Sequence, residues 1–106
     1  CFRHALNDPN CAINAGVFYD ELIGWQDKAE YLNIWDYICN YRCYVAPFPN
    51  FEVLRRNVRF FADCHALNLF EEDSPGSVCN DCGELRSYVL GKLMWDPYMS
   101  EEEYWE

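Results

Sequence analysis

Residues 32–36 read Leu-Asn-Ile-Trp-Asp, and residues 67–71 read Leu-Asn-Leu-Phe-Glu. Each is apolar, Asn, apolar, aromatic, carboxylate. The copies lie about 35 residues apart, about the length of one strand-plus-helix unit. Both are short and rich in branched and aromatic residues, so each reads as a buried strand, over 31–37 and 66–71. A parallel strand covered on both faces need not alternate cleanly between apolar and polar residues.

Outward from these strands the periodicity turns helical. Phe18, Leu22, Trp25 and Ala29 fall on one face of a helix predicted over about 14–29, with Asn14 as its N-cap. Leu54, Val58 and Phe61 mark a second helix over about 51–64, which Asn50 can cap; Arg55, Arg56 and Arg59 lie mainly off that stripe. A third helix, over about 83–94, carries Leu85, Val89 and Leu93 and ends before Asp96-Pro97. Ser100 with Glu103 has capping-box spacing, so a fourth helix starts at 101. The aromatic loop 38–50 holds Pro47 and Pro49, which exclude helix there. A turn-rich acidic segment runs through Ser74-Pro75-Gly76 to Asp81. Residues 1–13 read as loop. The order is helix, strand, helix, strand, helix, helix start. That alternation defines an α/β class with a parallel sheet of consecutive βα units. Two strands make no stable sheet alone, so the chain reads as a piece of a larger domain, the C-terminal half of a (β/α)8 barrel. The short stretch after 101 gives the same expectation of an excised fragment.

Composition narrows the partners. The net charge is −10, which opposes nucleic-acid phosphates and anionic membrane surfaces, both of which need Lys and Arg. No apolar run approaches the roughly 18 residues of a spanning helix. Eight Tyr, seven Phe and four Trp fit either a dense core or an aromatic-lined cleft. Seven cysteines suit a closed disulfide framework poorly, because the count is odd. Cys39, Cys43, Cys79 and Cys82 could form a four-thiolate zinc site, some cysteines could pair as disulfides, or all could be free thiols. His4 and His65 are isolated; His65 follows a helix end, where it suits the dipole. No Ser/His/Asp set or phosphate loop is present, and no cofactor is implied.

The acids that close the two repeats carry the chemical interest. In a βα barrel the active site lies at the carboxyl ends of the strands. Asp36 shares parity with Leu32 and Ile34, and Glu71 with Leu67 and Leu69. On adjacent strands about 4.8 Å apart, the two carboxyl groups fall within roughly 5–8 Å. Glycosidases place their carboxyl pairs at about 5–5.5 Å for retention or about 6.5–9.5 Å for inversion. Two close acids also repel, which keeps one protonated and ready to donate. The plainer alternative is that these acids cap helices or pair with Arg42. In the adjoining loop Tyr37, Tyr41 and Tyr44 can stack on sugar faces or pack the loop down. Asn40 and Arg42 can bind hydroxyls or a uronate carboxylate. Trp35 and Glu72 flank the same place.

The strings IWDY (34–37), PFPN (47–50), VRFFAD (58–63), LFEE (69–72) and ELRSYVLGKLMWDP (84–97), with CFRHALNDPNC (1–11), resemble a bacterial family. It is the domain of unknown function numbered 4838, a glycoside-hydrolase-like barrel similar to α-glucuronidases. The resemblance spans nearly the whole chain and implies a carbohydrate-active enzyme, with an N-terminal domain and the rest of the barrel as intramolecular partners. It also implies that the general acid lies on an earlier strand, leaving base and substrate-orienting roles to Asp36 and Glu71. The family often has Gln-Gly after its strand-end Glu, where this chain has Glu72-Asp73; parity favours Glu71 over Glu72 as the inward acid. The expectations are thus part of a glycoside hydrolase acting on poly- or oligosaccharides, a non-catalytic carbohydrate-binding barrel, or a cysteine–zinc structural module.

Overall fold

The computed structural model describes residues 18–73 and 81–106. The elements are α1 (Phe18–Gln26), β1 (Leu32–Tyr37), α2 (Phe51–Asp63), β2 (Ala66–Glu72), α3 (Gly83–Trp95) and α4 (Glu101–Trp105). The fold is mixed α/β, with helices and strands alternating around a two-stranded parallel sheet. The expected N-cap Asn14, the turn at Ser74-Pro75-Gly76, Cys79 and the segment 1–13 lie outside the described residues.

The register pairs the two sequence repeats residue by residue: Asn33 with Asn68, Ile34 with Leu69, Trp35 with Phe70, and Asp36 with Glu71. The repeated Asn has a physical use, since Asn68 Nδ2 donates to Asn33 Oδ1 at 2.7 Å across the strands. A register irregularity separates Leu32, paired with Ala66, from Asn33, paired with Asn68. The extra residue on β2 is Leu67. Such an insertion resets which face each following side chain takes. Ala66 therefore joins Leu32 against the core, while Leu67, expected beside Leu69, is 64% exposed.

One face of the sheet is covered by helices. Ile34 packs with Leu22 of α1 and with Phe60, Phe61 and Cys64 around α2. A second cluster joins Ile38, Leu54, Val58, Val89, Leu90, Leu93, Met99 and Tyr104, and Leu69 packs against both. The Leu54–Val58–Phe61 stripe of α2 is buried as its spacing requires. Two helical stripes differ from the periodicity reading. Trp25 of α1 is exposed, and α1 ends at Gln26, short of Ala29. On α3 the buried positions are Gly83, Arg86, Val89, Leu90 and Leu93, whereas Leu85 is exposed. Arg86, Val89, Leu90 and Leu93 fall at i, i+3, i+4 and i+7, one helical face. Counting only apolar residues hides the stripe, because a charged residue occupies its first position.

The arginines of α2 do more than face solvent. Arg55 donates to the Met99 carbonyl at 3.3 Å and lies 3.5 Å from Glu101, and the Arg59 guanidinium sits 5.2 Å from the Tyr98 ring centre. These contacts tie α2 to the turn before α4. After α2, His65 adopts φ 62° and its N–H reaches the Ala62 carbonyl, closing the helix in the left-handed conformation. At α4 the capping box forms in full: Ser100 Oγ accepts from the Glu103 N–H, and the Glu103 carboxylate accepts from the Ser100 N–H. Ser100→Ala should cost about 1 kcal/mol in denaturant midpoint experiments. Ser100→Asp, which keeps an acceptor at the cap, should restore most of it.

Candidate functional site

The two faces of the sheet differ chemically at its carboxyl end. Asp36 and Glu71 continue the parity of Ile34 and Leu69, the face packed on the helices. Trp35, Tyr37, Phe70 and Glu72 occupy the opposite face. Trp35 is 65% exposed and Phe70 55%, and their rings meet edge to face at 5.0 Å. Large exposed aromatics at the end of a parallel sheet are the unusual observation here, since such rings normally supply core burial.

Glu72 is held within that aromatic face. Trp35 Nε1 donates to Glu72 Oε2 at 2.9 Å, and the Tyr41 hydroxyl donates to Glu72 Oε1 at 3.0 Å. The same hydroxyl is within 3.4 Å of the Glu72 carbonyl and 3.3 Å of the Asp73 carbonyl. Burial and the carboxylate of Glu72 push the Tyr41 phenol well above its ordinary range, so it keeps the proton it donates to Glu72. Tyr37, Tyr41 and Tyr44 form an edge-to-face series at 5.4 and 5.7 Å. One carboxylate is thus fixed by two donors and flanked by open ring surface.

Behind it, Asp36 and Glu71 stand opposite one another in register, as the repeat implies. Parity predicts Glu71 as the inward acid, but Glu72 is the one that faces the open side. The ladder runs one residue beyond Glu71, since the Ile38 N–H donates to the Glu72 carbonyl, and alternation then turns Glu72 outward. Asp36 is buried; burial raises its pKa, while the Tyr37 N–H on Oδ1 at 2.7 Å counters the rise. Burial, and then the Asp36 charge, raise Glu71 to about 8. Among the described residues Glu71 Oε2 is buried with no hydrogen-bond partner. Because a backbone donor favours the charged form of Asp36, Glu71 is the member of the pair that holds the proton. The pair has the chemistry of a proton donor beside a carboxylate, on the helix-facing side of the sheet.

The remaining expected ligands divide. Asn40 Oδ1 accepts from the Arg42 N–H at 3.1 Å, a local turn bond. Arg42 is exposed, and among the described residues it makes no ion pair with Asp36 or Glu71. Tyr44 is partly buried against Tyr41. Among the described residues no group of three or more His, Cys, Asp or Glu is placed to hold a metal; of the four thiolates considered, Cys39 is buried, while Cys43 and Cys82 are exposed. Burial raises the Cys39 and Cys64 thiols, which keeps both protonated and inert.

A buried polar network that spacing along the chain does not reveal fixes the loop 38–50. Arg86, fully buried, donates through Nε to Asn50 Oδ1, through NH1 to the Asp81 carbonyl, and through NH2 to the Phe48 carbonyl and Asp81 Oδ2. Asp81 Oδ2 also accepts from the Phe48 N–H at 2.7 Å, and these bonds hold its carboxyl below the ordinary range. Asn50, expected to cap α2 with its side chain, instead donates to the Ile38 carbonyl at 3.0 Å. The available signal was an arginine inside an apolar helical stripe.

The architecture defines a mixed α/β domain with paired acids and exposed aromatics at the carboxyl ends of parallel strands. The chain belongs to the family described as Domain of unknown function (DUF4838), whose model matches residues 2–106. No curated protein and no solved structure matches the chain.

Proposed function

We propose that this chain forms part of a glycoside-hydrolase site, contributing consecutive βα units to a larger barrel. The observation that carries the reading is the Glu72 carboxylate, held by Trp35 and Tyr41 within an exposed aromatic face. Pyranose rings have apolar C–H faces and hydroxyl rims. Flat aromatic surface beside a fixed acceptor suits that combination. In this reading the sugar lies against Trp35 and Tyr37, and Glu72 accepts from its hydroxyls or stabilises positive charge at the anomeric carbon. In the catalytic reading the site extends from that platform over the strand ends to Asp36 and Glu71, which supply the acid and base chemistry, with Glu71 as the protonated partner. The rest of the barrel covers the open sheet edges and brings the remaining catalytic groups.

A second reading, a carbohydrate-binding barrel without catalysis, is favoured by one observation: Asp36 and Glu71 face the helices, away from the aromatic platform. Turnover and binding on a glycan panel by the full-length protein separate the two. A hydrolase should lose at least about 100-fold in kcat with Asp36→Asn or Glu71→Gln, the scale of losing a general acid or base. Loss with Glu72→Gln alone moves the chemistry to the open face. A binding module should show no turnover, and Trp35→Ala should weaken its glycan affinity about tenfold or more. Absence of both turnover and binding would overturn the carbohydrate reading. Stoichiometric zinc in the purified protein would instead support the cysteine–zinc module.

A further inference from the structure

We infer that Arg86 is a positioning residue that ties the aromatic loop 38–50, which fixes Glu72, to Asp81 at the entry of α3. Its guanidinium is fully buried on α3, yet among the described residues its side-chain hydrogen bonds all go to residues outside α3. They reach two places. Phe48 and Asn50 end the loop after β1; Asp81 ends the loop after β2. A planar fork with five N–H donors holds these four acceptors from three residues at once, whereas an ammonium has only three donors.

Asp81 carries the connection onward. Its carboxylate takes the Phe48 N–H, and its own N–H donates to the Tyr44 carbonyl at 3.1 Å. Tyr44 packs edge-on against Tyr41, and the Tyr41 hydroxyl holds Glu72. At the other end Asn50, oriented by Arg86 Nε, takes the Ile38 carbonyl, just beyond the strand end. The loop 38–50 is therefore gripped at its start, its middle and its end by one buried cation and its partners. The face of the guanidinium is covered as well, with the Phe51 ring centre 5.2 Å from Cζ. A buried charge with this many specific partners fixes one arrangement of the chain, because each alternative leaves a polar group unpaired. That the site binds a glycan rests on the proposed function; the clamp does not.

The test is hydrogen exchange by mass spectrometry on the full-length protein, comparing wild type with Arg86→Lys. Lysine keeps the charge but loses the fork. Uptake over residues 40–47 should rise about tenfold or more, while residues 54–61 inside α2 keep wild-type protection, the pattern of local opening. Where wild type binds a glycan of the panel above, the variant should bind it about tenfold more weakly. Unchanged exchange over 40–47, or equal acceleration across α2, would overturn the inference. If Arg86→Lys does not fold, Asp81→Asn, at a partly exposed position, decides by the same exchange pattern. If wild type binds no glycan, the proposed function fails, and the exchange pattern still decides the clamp.

Discussion

Glu71→Gln should make the protein more stable at pH 8 and above, by about 2–4 kcal/mol, and should flatten its pH dependence. In the unfolded chain this carboxyl loses its proton near 4.5, whereas in the folded protein burial and Asp36 hold the proton to about 8. Between those values the unfolded state binds fewer protons, so stability falls as pH rises and levels off above about 8. Below 4.5 both states are protonated, and the full stability is present. Gln mimics the protonated acid in shape and never ionises. Chemical denaturation of wild type and variant at intervals from pH 4 to 9 measures the slope; a parallel pair of curves would remove Glu71 from this role. The result also bears on function. A buried carboxyl oxygen without a partner is costly and uncommon in folded proteins. A substitution that raises stability while lowering turnover would mark Glu71 as a site residue maintained against stability.

Phe61→Ala should destabilise the fold by about 3–5 kcal/mol, a large share of the stability of a domain this small. Phe61 is 1% exposed and lies in the cluster that joins Ile34 of β1 to α1 and α2. Truncation removes the ring and leaves a space that Leu22, Phe60 and Cys64 cannot fill without moving. Thermal or urea unfolding in the full-length protein checks the value. Phe61→Leu should recover more than half of the loss, because Leu retains most of the apolar volume. A loss below about 1 kcal/mol for Phe61→Ala would mean that the sheet is held chiefly from elsewhere.

Several features of the fold could be read before any coordinates. The pairing of the two repeats followed from their matching patterns, and the Asp36–Glu71 register from where each pattern ends. The stripe of α2 and the capping box of α4 are local signals with local causes, so spacing alone located them. The aromatic richness was equally visible, although composition cannot assign it to core or surface. The structure divides it, burying Phe60, Phe61 and Tyr104 while leaving Trp35, Phe70 and Trp25 open.

The sequence by itself determined the alternation of strands and helices and the presence of two acids at the ends of two repeated strands. These depend on periods of 2 and 3.6 and on turn and capping chemistry, all of which act within a few residues. Only the tertiary structure decided which face each acid takes. That choice depends on the extra residue at Leu67, the one-residue extension of the ladder past Glu71, and the helices that cover one side. It also decided that Arg86 lies in the core, because its partners, Phe48, Asn50 and Asp81, come from two separate loops. A buried charge is stable only where distant backbone and side-chain groups converge on it, and spacing along the chain does not encode that convergence.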